Sequence, residues 1–395
     1  MIRSINEKVK YIGADDLDLD LFESQYIVPE GVSYNSYVIL DEKVAVLDTV
    51  DARKAEEWKA NLSEALAGRQ PDYLVVHHLE PDHSALIDWA LQAYPSLRLV
   101  ASAKAVAMLP QFFEGIDLEG RTQVVKEGEV LSLGSHSLQF IAAPMVHWPE
   151  VLMSYDAVDG CLYSADGLGK FGALSKCGFY GREDGDWACE ARRYYFNIVG
   201  KYGAQVQAVL KKAAGLDIKT IRPLHGPVLE DRLDDYLGLY DIWSKYDVET
   251  EGIFIACASI HGGTLAAAEK LEEILKARGA SRVECVDLSR SDIAENVEDA
   301  FRHSKLVLAA ASYDGGLFTP MYDFIHRLQI KGYTRRTVAL LENGSWAPSA
   351  ARVMKEMLAG MKEVKVIDPV VTIRSRMKKS DLPALEALAD AILNA

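Results

Sequence analysis

The chain changes texture near residue 250. From there to the C-terminus, short apolar runs alternate with stretches whose apolar residues recur at helical spacing. "GIFIACASIHGGT" reads as a strand and a glycine-rich turn, with "LAAAEKLEEILKARG" as the helix behind it. Strand "VECVDL", a helical stretch, strand "KLVLAAA", a helix from about Met321, strand "TVALLEN", helix "APSAARVMKEMLAG", strand "EVKVIDPVV" and helix "LPALEALADAILNA" follow. Regular β–α alternation of this kind predicts a doubly wound parallel sheet. Upstream the pattern is mixed. "SYNSYVIL" and "KVAVLDTV" alternate apolar and polar positions across a tight turn, which predicts an antiparallel hairpin. Strands and helices then intermingle to about residue 225, and "DRLDDYLGLYDIWSKYD" closes this part as an amphipathic helix. The boundary is placed at 248–252, giving domains 1–249 and 250–395.

Composition narrows the class. A chain of 395 residues is too long for one ordinary core. Apolar residues make up 49% and charged residues 26%, the balance of a soluble globular protein. No apolar run approaches the roughly 20 residues that span a bilayer, and "MIRSINEKVKYIGADD" lacks the apolar core of a signal peptide. A cytoplasmic protein without a membrane partner is therefore expected. The five cysteines are scattered and form no CxxC, which argues against a disulfide framework and against a thiolate-bound metal centre. A net charge of −15 disfavours nucleic acid as a ligand.

Candidate chemistry concentrates at strand ends of the first domain. "YLVV" runs into "HHLEPDHS", and the following "SALIDWALQAY" reads as a helix. Asp82 or Ser84 could cap that helix with Pro81 in its first turn, but capping leaves His78, Glu80 and His83 unexplained. Three further strands have the same grammar: "LQFIAAPMVHW" ends in His147, "CLYSADG" in Asp166 and "TIRPLHGP" in His225. The set His78, Glu80, Asp82, His83, His147, Asp166 and His225 is too large for one tetrahedral zinc. It suits two metals with a shared carboxylate. Imidazoles and carboxylates without thiolate fit iron, manganese or zinc.

With its downstream ligands, the "HxExDH" string resembles the flavodiiron proteins, over essentially the whole chain. That resemblance implies an α/β fold, with a metallo-β-lactamase-like αββα sandwich followed by a flavodoxin-like doubly wound parallel sheet. Glu80 stands where hydrolases of the lactamase fold carry a second histidine. The resemblance implies two non-haem iron ions, one on His78, Glu80 and His147, the other on Asp82, His83 and His225, with Asp166 bridging. Tyr26 and Trp148 lie in segments that also resemble the family; each either lines the substrate pocket or is a core aromatic with a satisfied polar tip. His77 faces the opposite side of its strand from His78, and His136 in "LGSHSLQ" reads as a surface turn residue; neither is given a role.

Three turns of the second domain match the family's flavin loops. Ser259, Ile260, His261, Gly262, Gly263 and Thr264 offer hydroxyls, glycine N–H groups and a helix N-terminus to a phosphate of flavin mononucleotide (FMN). Ser312, Tyr313, Asp314, Gly315 and Gly316, with Asn343, Gly344, Ser345 and Trp346, would flank the flavin ring. Ala258 and His261 depart from the acidic and aromatic residues common there, and His261 reads as a solvated loop residue.

The resemblance implies a reductase of dioxygen to water, of nitric oxide to nitrous oxide, or both. It further implies a separate donor such as rubredoxin and a head-to-tail homodimer or dimer of dimers. The rival readings are a dizinc hydrolase fused to a flavodoxin-like domain, and an electron carrier with a dead metal site.

Overall fold

The computed structural model describes residues 2–395, and the chain divides into two compact units. The first comprises the chain to Tyr195 together with Tyr202–Asp241, and the second comprises Phe196–Lys201 and Ile242–Ala395. Among the described residues, no helix is long and apolar enough to cross a membrane.

Two sheets face each other in the first unit. The seven-stranded sheet runs, edge to edge, through Arg3–Ser4, Val9–Tyr11, Tyr37–Leu40, Val44–Leu47, Tyr73–Val75, Arg98–Ser102 and Thr122–Val125. The hairpin lies at its centre, with Tyr37 opposite Leu47 and Ile39 opposite Ala45. The five-stranded sheet orders Val130–Ser132, Ser137–Ala142, Leu152–Asp156, Cys161–Tyr163 and Thr220–Arg222. Side chains alternate across a strand, so Tyr37, Ile39, Ala45, Leu47 and Val75 meet Leu138, Phe140, Leu152 and Tyr163 in one buried core. The opposite face of the larger sheet is covered too. Val38, Val46 and Leu74 are buried there, and the helix Ala55–Leu66 buries Trp58 and Leu62.

Strand direction fixes where chemistry can gather. Ser137–Ala142 is antiparallel to Leu152–Asp156, which is antiparallel to Cys161–Tyr163, which is parallel to Thr220–Arg222. The first, third and fourth of these strands therefore end at the same edge.

The second unit is a parallel sheet in the order Val283–Asp287, Thr250–Ala258, His303–Tyr313, Thr337–Asn343, Lys365–Val366. This is the 2-1-3-4-5 arrangement of flavodoxin-like folds. "EVKVIDPVV" does not form one strand. It breaks into Lys365–Val366 and Val371–Ile373 around Asp368 and Pro369, where proline cannot donate to the ladder. The helix expected over "SALIDWALQAY" is shorter, Ile87–Ala93, and is preceded by a separate helical turn Pro81–Ser84; neither has a side-chain cap.

The segment 196–201 packs within the second unit. Phe196 stacks on Phe301 with centroids 4.3 Å apart, and Asn197 Nδ2 donates to the Ala294 carbonyl at 3.0 Å. Buried Arg336 donates to the carbonyls of His303 (2.9 Å), Tyr246 (2.8 Å), Asp247 (3.0 Å) and Phe301. Arg336→Met should leave these acceptors without donors and destabilise the second unit by about 2–4 kcal/mol, read as an earlier urea transition. An unchanged midpoint would show that the clamp contributes nothing.

Candidate metal centre and flavin cradle

Each candidate ligand sits in the segment just beyond a strand. After Tyr73–Val75 the chain delivers His78 and Glu80, then the helical turn Pro81–Ser84 presents Asp82 and His83. His147 lies five residues past Ser137–Ala142, in a loop closed by the Met145 N–H on the Trp148 carbonyl at 2.7 Å. Asp166 follows Cys161–Tyr163 in a turn fixed by the Ser164 hydroxyl, which donates to the Gly167 carbonyl at 2.6 Å. His225 follows Thr220–Arg222, and its loop is pinned by Asn35, whose amide donates to the carbonyls of Pro223 (2.8 Å) and Gly226 (2.7 Å). Gly226 has φ +80°, and a Cβ there would lie 2.6 Å from Lys170, so both backbone shape and space require glycine.

All seven converge in two adjoining groups, His78, Glu80, His147 and Asp166 in one and Asp82, His83 and His225 in the other. Glu80 Oε2 lies 3.2 Å from His78 Nε2 and 3.0 Å from His147 Nε2. Asp82 Oδ2 lies 3.4 Å from His83 Nε2 and 3.2 Å from His225 Nε2. Asp166 faces both groups: Oδ2 is 3.2 Å from His78 and from His147, while Oδ1 is 3.5 Å from His83 and 3.8 Å from His225. These are the spacings of neighbouring donors about 2.0–2.2 Å from a common ion.

The donor chemistry fits cations. Both oxygens of Asp166 are buried and face imidazole nitrogens, as does Oδ2 of buried Asp82. His83 Nε2 and His225 Nε2 face each other at 3.0 Å, an approach that two lone pairs or two N–H groups would resist. The carboxylates raise the proton affinity of His78, His83 and His147. Burial alone would lower the His147 pKa, but hydrogen bonds to Asp166 and Glu80 outweigh it and push it up to about 9. Burial opposes ionisation of Asp166 as well, yet the His78 charge and three imidazole hydrogen bonds hold it well below the usual carboxylate range.

Residues that the sequence pattern did not single out aim the ligands. His78 Nδ1 donates to Glu150 Oε1 at 2.8 Å, and the same oxygen accepts the Leu79 N–H at 2.9 Å. His225 Nδ1 donates to the Ser33 carbonyl at 2.8 Å. Both bonds turn Nε2 inward. Tyr194 is fully buried, its ring centroid 5.6 Å from that of His225, and its hydroxyl has no partner. Burial and then the charges of Asp166, Glu80 and Asp82 push its pKa far up. In sequence, Glu150 stands only three positions after His147, whereas Tyr194 is lost in an aromatic run.

Trp148 lies against the ligands, its ring 5.2 Å from His78 and 6.3 Å from His147. Tyr26 is buried beside Phe171, with centroids 6.4 Å apart, while Phe22 brings its ring to 5.4 Å from His225. A cavity of about 230 Å³ opens over the centre, lined by Leu21, Phe22, Tyr34, Asp51, Glu80 and Asp82 among others. His77 joins neither group; its ring lies between Asp48 Oδ2 (2.5 Å) and Ser154 Oγ (2.8 Å). His136 is not a surface residue. It is buried with Nδ1 2.7 Å from Asp156 Oδ2, because its turn folds in over Asp41, which accepts its N–H at 2.6 Å.

In the second unit the three glycine-bearing turns collect at the C-terminal ends of adjacent strands. Ser259 Oγ is buried without a partner, Gly262 has φ +79°, and the helix Gly263–Ala277 starts with no side-chain cap. An unpartnered hydroxyl beside free helix N–H groups suits a phosphate. Ile260, His261, Tyr313 and Trp346 are exposed, Trp346 at 89%. Not every polar group there is free. Ser312 Oγ accepts the N–H groups of Ser349 (2.8 Å) and Ala350 (3.2 Å), capping the helix Ala350–Leu358. Asn343 is tied to Ser375 through Nδ2 to its carbonyl (2.9 Å) and Oδ1 from its N–H (3.0 Å). Ser345 Oγ meets Ser375 Oγ at 2.6 Å, and a Cβ on Gly263 would lie 2.3 Å from the Ser375 carbonyl oxygen.

Comparison with known proteins gives the following likenesses. Residues 32–226 match a family model described as the ODP family beta lactamase. The chain is 33% identical over 306 residues to a putative diflavin flavoprotein A 1 of Nostoc sp., covering 75% of this chain and 51% of that protein. It thus spans about half the length of the cyanobacterial relatives it matches. It is 26% identical to a nitric oxide reductase of Moorella thermoacetica, covering 96% and 95% of the two chains. In fold it is similar to the rubredoxin oxygen:oxidoreductase of Desulfovibrio gigas, with TM-score 0.93, 23% identity and coverage of 100% and 98%. It is also similar to the flavodiiron protein of Giardia intestinalis, with TM-score 0.91, 23% identity and coverage of 99% and 96%.

Two outcomes are expected of the site. Asp166→Ala should strip most of the metal from purified protein, since one side chain serves both groups; full metal content in that variant would refute sharing. Glu150→Ala should weaken metal retention against a chelator by about 10–100-fold through loss of the His78 orientation.

Proposed function

Because this chain belongs to the flavodiiron protein family, we propose that it is an oxidoreductase reducing dioxygen to water, nitric oxide to nitrous oxide, or both. Two non-haem irons would be held by the seven ligands and FMN by the glycine-bearing turns. The observation that carries this reading is the arrangement of Asp166, with one carboxylate oxygen toward each three-residue group. Glu80 supports redox metal over a dizinc hydrolase, since it adds a hard carboxylate where such hydrolases hold histidine.

When bound, the ferrous pair and the flavin supply the electrons for reduction of the gas. The chain's own residues set the conditions for it. Glu80, Asp82 and Asp166 offset the charge of two cations in a buried site. Glu150 and Ser33 fix the imidazole orientation. Leu21 and Phe22 give the cavity an apolar side suited to a diatomic gas. Tyr194, held un-ionised, keeps a hydroxyl proton available for hydrogen bonding beside His225.

Electrons would come from a separate donor protein such as rubredoxin, and the working assembly would be a head-to-tail dimer in which flavin and metal from different copies cooperate. Purified protein should carry close to two irons and one FMN per chain and, once reduced anaerobically, consume dioxygen, nitric oxide or both. Zinc with esterase activity, or full cofactor content with no gas consumed, would overturn the reading. Mixing a metal-dead His83→Ala, Asp166→Ala variant with a flavin-dead variant should restore activity through exchanged subunits; inactive heterodimers would refute the proposed assembly.

A further inference from the structure

His77 is the one ionisable residue of "HHLEPDH" that joins neither metal group. It is buried, and all four of its polar groups are engaged. Its N–H donates to Asp48 Oδ1 at 2.7 Å, and its carbonyl accepts the Leu152 N–H at 2.9 Å. A carboxylate only accepts, so Nδ1 donates to Asp48 Oδ2 at 2.5 Å, while Nε2 is bonded to Ser154 Oγ at 2.8 Å. The ring also stacks on Tyr163, with centroids 6.3 Å apart and planes at 14°. These partners come from both sheets. Asp48 directly follows Val44–Leu47 of the larger one, and Ser154 lies within Leu152–Asp156 of the smaller. The imidazole therefore ties the two layers together at the residue before His78.

The next residue after Asp48 extends this tie to the second group. Thr49 donates both its N–H and its hydroxyl to the His83 carbonyl, each at 2.8 Å. Two consecutive residues thus hold His77, the neighbour of a ligand in one group, and His83, a ligand in the other. Their corner is itself fixed. Asp48 has φ +55°, its N–H donates to the Val75 carbonyl at 2.8 Å, and its carbonyl accepts the Ser36 hydroxyl at 2.9 Å. A residue other than glycine keeps a left-handed backbone where surrounding bonds over-determine it. On the other side of His77, Leu152 and Ser154 anchor the strand that follows His147.

We propose that His77 is a positioning residue for the metal pair: through Asp48 it fixes the offset between His78 and His83, and with it the separation of the two ions. The proposal rests on the functional reading above, since both groups must hold metal. Two amide side chains separate the ring's contacts. Asparagine places its amide where Nδ1 stands and keeps a donor for Asp48. Glutamine places its amide where Nε2 stands, which keeps the Ser154 contact and gives up the Asp48 bond.

The test compares the full-length, iron- and flavin-loaded chain with His77→Phe, His77→Asn and His77→Gln. Two quantities are read: iron retained against a chelator, and the EPR spectrum of the half-reduced iron pair, whose shape follows the coupling between the ions. His77→Phe should retain iron at least about tenfold more weakly, with a shifted spectrum. His77→Asn should restore both to the parental values, and His77→Gln should resemble His77→Phe. Urea midpoints are measured alongside, because a histidine that only stabilised the fold would lower the midpoint and leave the spectrum alone. A folded His77→Phe variant with the parental spectrum would overturn the proposal. Should that variant not fold, the amide pair decides, and identical spectra and retention in His77→Asn and His77→Gln would overturn it. A parent chain that binds no iron pair would overturn the functional reading and this proposal with it, whereas a parental spectrum in His77→Phe overturns this proposal alone.

Discussion

A carboxylate with no exposure to water survives only where positive charge or hydrogen-bond donors surround it. Asp166 meets this condition from two directions, with His78 and His147 facing one oxygen and His83 and His225 facing the other. The four imidazoles arrive on three segments, His78 and His83 together and His147 and His225 each apart, so the charge requirement of one residue constrains several crossings of the chain at once. The charge of Asp166 and its neighbours in turn favours protons on His78, His83 and His147. The same geometry would suit two cations held on either side of one carboxylate.

The backbone around this point is shaped to keep it in place. Asp166 and His225 are the short continuations of neighbouring parallel strands, so sheet register already brings them close. The remaining freedom is removed by side-chain to backbone bonds: Ser164 to Gly167, Asn35 to both sides of His225, and Gly226 N–H to Ser33 Oγ. Ties of this kind, local at Asp166 and long-range at His225, hold these side chains more firmly than the short loops could alone.

Much of the fold was legible because burial leaves a periodic trace. The strands of the second unit are covered on both faces and appear as unbroken apolar runs between helices. The hairpin Tyr37–Leu47 appears as two short apolar runs around a polar turn because both faces of its strands are buried, in different layers. "EVKVIDPVV" has the hydropathy of one strand yet forms two, because hydropathy ignores the missing N–H of proline. The ligand loops stood out because ionisable residues directly after buried strands are conspicuous. Glu150 and Ser33 were not, since each acts on a histidine distant in sequence, and no local pattern records such a bond. The burial of His136 is hidden for the same reason: its partners are Asp41, in the turn after Tyr37–Leu40, and Asp156, at the end of Leu152–Asp156. Ser375 stayed invisible because its contribution is made largely through backbone groups.

The stacking of Phe196 on Phe301 bears on how such a protein can be taken apart and rebuilt. The second unit is not one contiguous stretch of sequence, because it claims residues 196–201 from within the first. Severing the chain at a single point near residue 241 would leave that piece behind and strip Phe301 of a packing partner. Exchange of this unit between proteins as a simple cassette would thus mismatch two inherited surfaces. During synthesis on the ribosome, Phe196 emerges long before the residue it packs on, so it must wait until the C-terminal half is made.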